Sequence, residues 1–207
     1  MAVAGGYNDA MNKLDRLLTE IRACRLCAAE LPLGPRPIVR ASSTARILIV
    51  GQAPGRRVHE TGIPWNDASG ERLRAWLQLT REQFYDVRHI AIVPAGLCFP
   101  GSGLRGDAPP RPECAPLWHP QLRALMPKIQ LTLLIGQYAQ AYYLGKRRKK
   151  SLRETVMAQA EYLPEFLPLP HPSPRNQLWL KQNPWFEQEV IPLLRNYVTN
   201  TLHGAGA

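Results

Sequence analysis

The chain has 207 residues, 45% of them hydrophobic and 20% charged, a composition typical of one globular domain and not of a disordered chain. No apolar run approaches the roughly 20 residues that a membrane span requires, and the N-terminal stretch lacks the pattern of a secretory signal, so we expect a cytoplasmic protein without a membrane partner. The 26 Lys and Arg residues against 16 Asp and Glu residues give a net charge of +10, which favours a polyanionic partner such as DNA or RNA.

Short apolar runs bounded by turn residues predict four buried strands, at residues 46–51, 89–96, 131–137 and 166–172. Helical patterns between and around them predict helices at residues 8–30, 67–79, 117–126, 138–144 and 183–198. Pro192 is expected to kink the last helix or to end its first part.

This alternation of strands and helices predicts an α/β fold with three α/β/α layers around a four-stranded, mainly parallel sheet. We expect a single monomeric domain over residues 1–207, with residues 203–207 as a frayed tail. The stretch at residues 99–114 is rich in Gly and Pro and is predicted to be a loop.

Three motifs follow predicted strands. The run GQAPG at residues 51–55 follows the first strand, the loop beginning at Cys98 follows the second, and HPSPRN at residues 171–176 follows the fourth. Because ligands of open α/β sheets bind at the carboxyl ends of the strands, these motifs are predicted to share one edge of the sheet.

The four cysteines of the chain lie in two separate segments. Cys24 and Cys27 form a C-x2-C pair, and Cys98 and Cys114 flank the Gly- and Pro-rich loop. In a chain without an export signal, metal binding is a better interpretation than disulfides. Four such thiolates can close a tetrahedral zinc site or hold a [4Fe–4S] cluster, and their spacing does not choose between the two. Four unrelated core thiols are the remaining alternative.

Taken together, CRLC, GQAPG, the cysteine pair around a proline-rich loop and the late HP motif resemble the iron–sulfur (thermostable-type) family of uracil-DNA glycosylases. The resemblance spans roughly residues 24–176. It implies that Cys24, Cys27, Cys98 and Cys114 hold a structural [4Fe–4S] cluster. It also implies an enzyme that flips a deaminated base, uracil foremost, out of DNA and hydrolyses its N-glycosidic bond.

Such a reaction develops positive charge on the sugar and negative charge on the departing base, so its pocket needs a stacking aromatic, donors and a carboxylate or oriented water. Gln52 and Ala53 belong to a turn that follows a strand, as a phosphate- or base-binding turn should; a simple strand-to-loop turn is the alternative. The resemblance places Trp65 at the stacking aromatic; a core tryptophan is the alternative. Asp67 either orients the attacking water or caps the helix that follows it.

The HPSPRN run also resembles a segment of the single-strand-selective uracil glycosylases. That resemblance implies that His171 donates a hydrogen bond to the uracil O2, instead of being an ordinary surface or core histidine. It implies phosphate and minor-groove contacts for the residues after it, which are Pro172, Ser173, Pro174, Arg175 and Asn176.

A basic run and one leucine extend the predicted DNA surface. Six of the eight residues at 146–153 are basic, and Lys146, Arg147 and Arg148 are predicted to follow the DNA backbone, although such runs are often only solvated faces. Leu178 is a candidate wedge into the gap left by a flipped base.

Two positions depart from the iron–sulfur family. Gln52 stands where that family has an acidic residue, and Pro94 stands where it has the asparagine that reads the uracil edge. The second departure favours an alternative function, a catalytically weak or inactive relative that binds DNA lesions. A zinc-binding nucleic-acid module without excision chemistry is a third hypothesis.

Overall fold

Short runs of Ile, Leu and Val form the central sheet of the protein. The structure is a computed structural model that describes residues 4–103 and 106–204, with side chains described from residue 13 onward. The strands in chain order are β1 (Ile47–Val50), β2 (Ile90–Ile92), β3 (Ser102–Gly103), β4 (Gly106–Asp107), β5 (Leu131–Ile135) and β6 (Phe166–Leu169). The sheet order is β2-β1-β5-β6 with every pairing parallel, while β3 and β4 form a separate antiparallel hairpin.

The helices of the described residues cover both faces of this sheet. They are α1 (Ala4–Ala23), α2 (Arg56–Thr61), α3 (Ala68–Leu77), α4 (Arg81–Tyr85), α5 (Cys114–Ala124), α6 (Gln137–Leu144), α7 (Leu152–Met157), α8 (Gln177–Gln182) and α9 (Ile191–His203). A π-helical segment, Phe186–Val190, leads into α9.

Alternation along the strands divides the apolar side chains into two cores. Ile47 and Ile49 face the core built with α3, α4, α7 and α9, whereas Leu48 and Val50 face the core built with α1, α5 and α6. The predicted three-layer α/β/α fold is therefore confirmed. None of the described helices is long and apolar enough to cross a membrane.

All four predicted strands are confirmed, each shorter than its apolar run. Pro168 is tolerated within β6 because β6 is an edge strand, where a missing N–H faces no neighbour. The segment after β2 leaves the sheet at Pro94, yet it stays close to β1 because the Ala95 and Gly96 amides donate to Gly51 O and Gln52 O, both at 2.9 Å.

The predicted first helix is too long at its C-terminal end. Helix α1 ends at Ala23, and Cys24 and Cys27 lie in the turns that precede a short 3-10 segment, Ala28–Glu30. The Arg25 guanidinium donates to Cys24 O at 3.0 Å and so satisfies a carbonyl at the end of the helix. Leu14, Leu17, Leu18 and Ile21 are buried as the helical stripe predicts, while the side chain of Met11 lies outside the described residues.

The predicted last helix consists of two parts that meet next to Pro192, as expected for that residue, and they begin at Phe186 instead of Asn183. Pro192 lies in the first turn of α9, where its missing N–H costs nothing, and the wider π-helical turns precede it. Asn183 does not cap this helix, because its Oδ1 accepts from Arg153 and Trp185. Helix α9 continues through His203, so the predicted frayed tail begins too early; residues 205–207 lie outside the described part.

Candidate active site

A pocket of about 370 Å³ opens at the carboxyl ends of the parallel strands, and we call it the strand-end pocket. Its walls come from the turn after β1 (residues 51–55), Pro94 after β2, the start of α3, the hairpin and the segment after β6. It contains Gln52, Ala53, Trp65, Asp67, His171 and Ser173. The structure thus brings together residues that are 121 positions apart or less in the sequence, as expected for this edge of a parallel sheet.

His171 stands in the wall of this pocket with one ring nitrogen already engaged. The Ser173 amide donates to His171 Nδ1 at 3.2 Å, so the proton of the neutral ring lies on Nε2. Asn176 Nδ2 donates to His171 O at 2.8 Å and fixes the backbone at the same residue. The remaining ring nitrogen is therefore a hydrogen-bond donor.

The environment of His171 keeps its ring neutral at physiological pH. Burial lowers the pKa of His171 to about 4, with Asp67 opposing the shift and Arg175 adding to it. Gly136 packs beneath the ring, since a Cβ at that glycine would lie 3.8 Å from His171 Cδ2. A neutral ring donates through Nε2 without bringing a positive charge into the pocket.

Trp65 packs against His171, with ring centroids 5.5 Å apart and ring planes inclined by 31°. Its backbone is in the left-handed region at φ 56°, which is unfavourable for a residue with a large side chain. Arg74 holds this conformation by donating to Trp65 O at 3.2 Å, and the Tyr85 hydroxyl donates to Pro64 O at 2.7 Å. A strained aromatic at a pocket wall, fixed from two sides, is a preorganised surface for a planar ligand.

Two glycines make room for Trp65. A Cβ at Gly51 would lie 2.8 Å from Trp65 Cζ2, and a Cβ at Gly70 would overlap the Trp65 carbonyl. Because the second contact is with backbone, no side-chain movement can relieve it.

Replacement of Gly70 by alanine is therefore expected to destabilise the protein by about 2 kcal/mol through overpacking, although glycine to alanine inside a helix normally stabilises by about 1 kcal/mol. Chemical denaturation measures the difference. Glu71→Ala, one position further and exposed, is the control and is expected to change stability by less than about 0.5 kcal/mol. A Gly70→Ala variant as stable as the wild type would show that Trp65 is not held as described.

Asp67 is the N-cap of α3, so one of the two roles predicted for it is established. Its Oδ1 accepts from the Gly70 amide at 2.8 Å. The same side chain borders the strand-end pocket, and its negative charge opposes the burial that lowers the pKa of His171. The charge of Asp67 therefore also acts on the pocket. Capping and facing the pocket are compatible here because the pocket adjoins the helix terminus.

Asp107 is a second carboxylate of the pocket that the sequence did not indicate. It lies in β4, inside the stretch predicted to be a loop, and a hairpin that crosses over the turn after β1 carries it to the pocket. Gln52 takes part in this arrangement, since its Nε2 donates to Ala108 O at 3.0 Å. No local pattern predicts such a contact, because it depends on where the hairpin folds.

Basic residues surround the same opening. Arg56 and Arg57 begin α2 directly after the turn at residues 51–55, and both are exposed beside the pocket. Arg175 lies opposite them on the segment after β6. Arg56 and Arg57 were not predicted to belong to the DNA surface, although they directly follow the GQAPG motif. That role was predicted for the longer basic run at residues 146–153.

The rest of the segment after β6 is folded by its own hydrogen bonds. Ser173 Oγ accepts from the Arg175 amide at 3.2 Å, and Arg72 of α3 donates to Ser173 O at 3.3 Å. A further open space of about 400 Å³ shares His171 and Arg175 with the strand-end pocket and continues to Asn176. The two spaces form one groove along the strand ends.

Pro94 borders the strand-end pocket and offers it no side-chain donor. The Pro94 carbonyl contacts His119, a residue that is 2% exposed. His119 Nε2 lies 3.1 Å from Pro94 O, and His119 Nδ1 lies 2.9 Å from the Tyr143 hydroxyl. Burial lowers the pKa of His119 to about 4. This neutral pair fixes the backbone of the pocket floor and was not predicted.

The basic run lies apart from the pocket. Lys146 and Arg147 lie in a 3-10 turn after α6, and with Arg148 they are exposed and border neither space of the groove. Arg147 donates to Glu161 O and stacks on Tyr162 at 5.5 Å, which gives it a local structural contact.

All four cysteines border a second, smaller cavity, which we call the cysteine cavity. Each is partly exposed and none forms a disulfide; the Leu97 amide donates to Cys114 Sγ at 3.3 Å. Burial raises the pKa of Cys98 to about 11 and that of Cys114 to about 12. Among residues 13–103 and 106–204, no group of three or more His, Cys, Asp or Glu side chains that could hold a metal ion is found as the side chains stand.

Comparison with known families gives a match to the one described as the Uracil DNA glycosylase superfamily, over residues 39–195. The matched range includes the central sheet and reaches into α9, and it contains every strand-end residue discussed above. It contains Cys98 and Cys114, whereas Cys24 and Cys27 precede it.

Proposed function

The chain belongs to the uracil DNA glycosylase superfamily, and on that premise we propose that it is a monofunctional DNA glycosylase that removes a deaminated base, with uracil as the foremost candidate. The observation that carries the proposal is the pairing of a neutral, Nε2-protonated His171 with the fixed aromatic Trp65 at one pocket. This pairing suits a flipped base that leaves as an anion.

In the proposed reaction the flipped base stacks on the indole of Trp65. As the bond between the sugar carbon and the base nitrogen breaks, negative charge grows on the base, and His171 Nε2–H donates to an oxygen of the base. A donor fixed before the reaction stabilises this charge without reorganisation. Subsequent attack of water on the sugar gives an abasic site and the free base.

Asp67 is proposed to stabilise the sugar cation through its charge while it caps α3. Replacement by asparagine separates the two roles, because asparagine caps helices as well as aspartate does but carries no charge. We expect Asp67→Asn to keep its thermal stability and to lose about 10-fold in single-turnover rate. An unimpaired rate would leave Asp67 with the capping role alone.

DNA is proposed to lie along the strand-end groove. Arg56, Arg57 and Arg175 would neutralise phosphates at its opening, and the segment from Pro172 to Asn176 would contact the backbone beside the flipped nucleotide. Leu178, which is 65% exposed on α8, is the proposed wedge. The run at Lys146, Arg147 and Arg148 is proposed to add a more distant backbone contact.

A [4Fe–4S] cluster is the proposed occupant of the cysteine cavity, with zinc as the alternative. Four thiols from two chain segments face one cavity, which fits the donor set that either group requires. When bound, the group supplies cross-links between the end of α1, the segment after β2 and the start of α5, and takes no part in the hydrolysis. Cys24, Cys27, Cys98 and Cys114 are its proposed ligands.

The test of the proposed function is incubation with oligonucleotides that contain uracil, hypoxanthine or xanthine, single- and double-stranded, followed by alkaline strand scission. We expect an abasic product from at least one of them. If none of these oligonucleotides gives an abasic product, the proposed glycosylase activity is refuted. Tight binding to the same oligonucleotides without product would support the alternative, an inactive lesion-binding relative, which the apolar Pro94 at the pocket favours.

A further inference from the structure

The hairpin β3–β4 holds Asp107 over the pocket by contacts on both sides of that residue. Within the hairpin, Asp107 pairs with Ser102. The next residue, Ala108, has both backbone groups bonded, since its amide donates to Gly101 O at 2.8 Å and its carbonyl accepts from Gln52 Nε2 at 3.0 Å. The position of Asp107 relative to the turn after β1 is therefore defined.

The Asp107 carboxylate lies against Gly55, the last residue of the turn after β1. A Cβ at Gly55 would lie 3.2 Å from Asp107 Oδ2. Arg175, on the segment after β6, contacts the same hairpin, since a Cβ at Gly106 would lie 2.8 Å from Arg175 Nη1. The Asp107 carboxylate borders both spaces of the groove.

Within the described part of the chain, the Asp107 carboxylate accepts no hydrogen bond and forms no ion pair within 4 Å. Asp67 differs, because its Oδ1 is committed to the Gly70 amide. Asp107 is exposed overall, but partial burial of its carboxylate raises its pKa, and Asp67 acts in the same direction, while Arg175 and Arg56 lower it. An uncommitted carboxylate beside a substrate pocket, with a pKa above its usual value, is suited to accept a proton.

Resting on the glycosylase function proposed above, we propose that Asp107 is a further catalytic residue of the strand-end pocket and the base that accepts the proton of the attacking water. After the bond to the base nitrogen has broken, the water oxygen forms a bond to the cationic sugar carbon. The electron pair of the broken bond leaves with the base, whose charge His171 stabilises. One water proton passes to the Asp107 carboxylate and then to solvent.

This role explains an acidic residue at the opening of a groove that binds a polyanion. A carboxylate there repels phosphates and so weakens DNA binding. Removal of its charge should therefore slow the reaction and at the same time leave affinity unchanged or increase it. A residue needed only for folding of the hairpin would change rate, affinity and stability together.

The test compares Asp107→Asn with Glu60→Gln. The control removes the same charge from an exposed residue of α2 that does not border the pocket. Single-turnover cleavage is measured with the oligonucleotide that the wild type cleaves best, and affinity with an oligonucleotide that carries a stable abasic-site analogue.

We expect Asp107→Asn to lose about 10²-fold or more in rate, with unchanged melting temperature and equal or tighter DNA binding, and Glu60→Gln to retain the wild-type rate. An Asp107→Asn rate within about twofold of an active wild type would overturn this inference and leave the proposed function in place. Parallel losses of affinity and melting temperature would also overturn it. If the wild type cleaves no substrate, both the role of Asp107 and the proposed glycosylase function are overturned.

Discussion

Replacement of His171 by alanine is expected to slow base excision by about 10²- to 10³-fold in single turnover, the usual effect of removing one preorganised donor to a developing anion. The Ser173 amide already occupies Nδ1, so Nε2–H is the donor that is lost. DNA affinity should change much less than the rate, because the charge on the base develops only in the transition state.

Two further variants and the pH dependence test this interpretation of His171. His171→Gln retains an amide donor and is expected to lose less activity than His171→Ala, whereas His203→Ala, at an exposed residue of α9, is expected to behave as the wild type. Because the pKa of His171 is lowered to about 4, its neutral form persists through the usual histidine range, and no loss of rate from this group is expected between pH 8 and 6. A rate for His171→Ala equal to that of the wild type would remove His171 from the mechanism.

Replacement of Cys114 by serine is expected to abolish cluster binding and to destabilise the protein by several kcal/mol, since the free energy of metal binding contributes to folding. The purified wild type should contain about four irons per chain and absorb visible light, and the variant should contain little iron. Metal analysis and thermal unfolding measure both effects without reference to activity.

Leu26→Ala is the matched control for the cysteine variant. Leu26 lies between the first two cysteines, borders the cysteine cavity and is 63% exposed, so its removal should leave the metal in place. Stoichiometric zinc in place of iron in the wild type would establish the alternative occupant. A Cys114→Ser variant with a full complement of iron would show that Cys114 is not a ligand.

Local patterns were sufficient for the architecture. Short apolar runs with Gly and Pro at their ends predicted all four parallel strands, because burial on both faces selects continuous apolar segments. The ends of elements were less predictable. Helix α1 stops before Cys24, and Asn183 does not begin the last helix, since Arg25 and Asn183 find partners that spacing alone does not reveal.

The same contrast holds for the pocket. His171, Trp65 and Asp67 could be chosen from their motifs, and the topology of a parallel sheet was enough to expect them at one edge. The sequence left open whether Asp67 caps α3 or orients the attacking water. The structure shows that Asp67 caps α3 and also borders the pocket, and its role toward water stays a prediction. His119 remained unpredicted because its role is to hold a carbonyl, which no side-chain pattern encodes.

The sequence by itself determined the fold class, the order of the buried strands along the chain and the motifs at their carboxyl ends, because these depend on periodicity and on residues near one another in the chain. Only the tertiary structure decided which ring nitrogen of His171 is free, that Gly70 must be small beneath Trp65, and that Asp107 faces the pocket. The first two depend on the exact backbone conformation of short segments, which brings the Ser173 amide to His171 and the Trp65 carbonyl to Gly70. The third depends on packing between distant segments, which places the hairpin against the turn after β1.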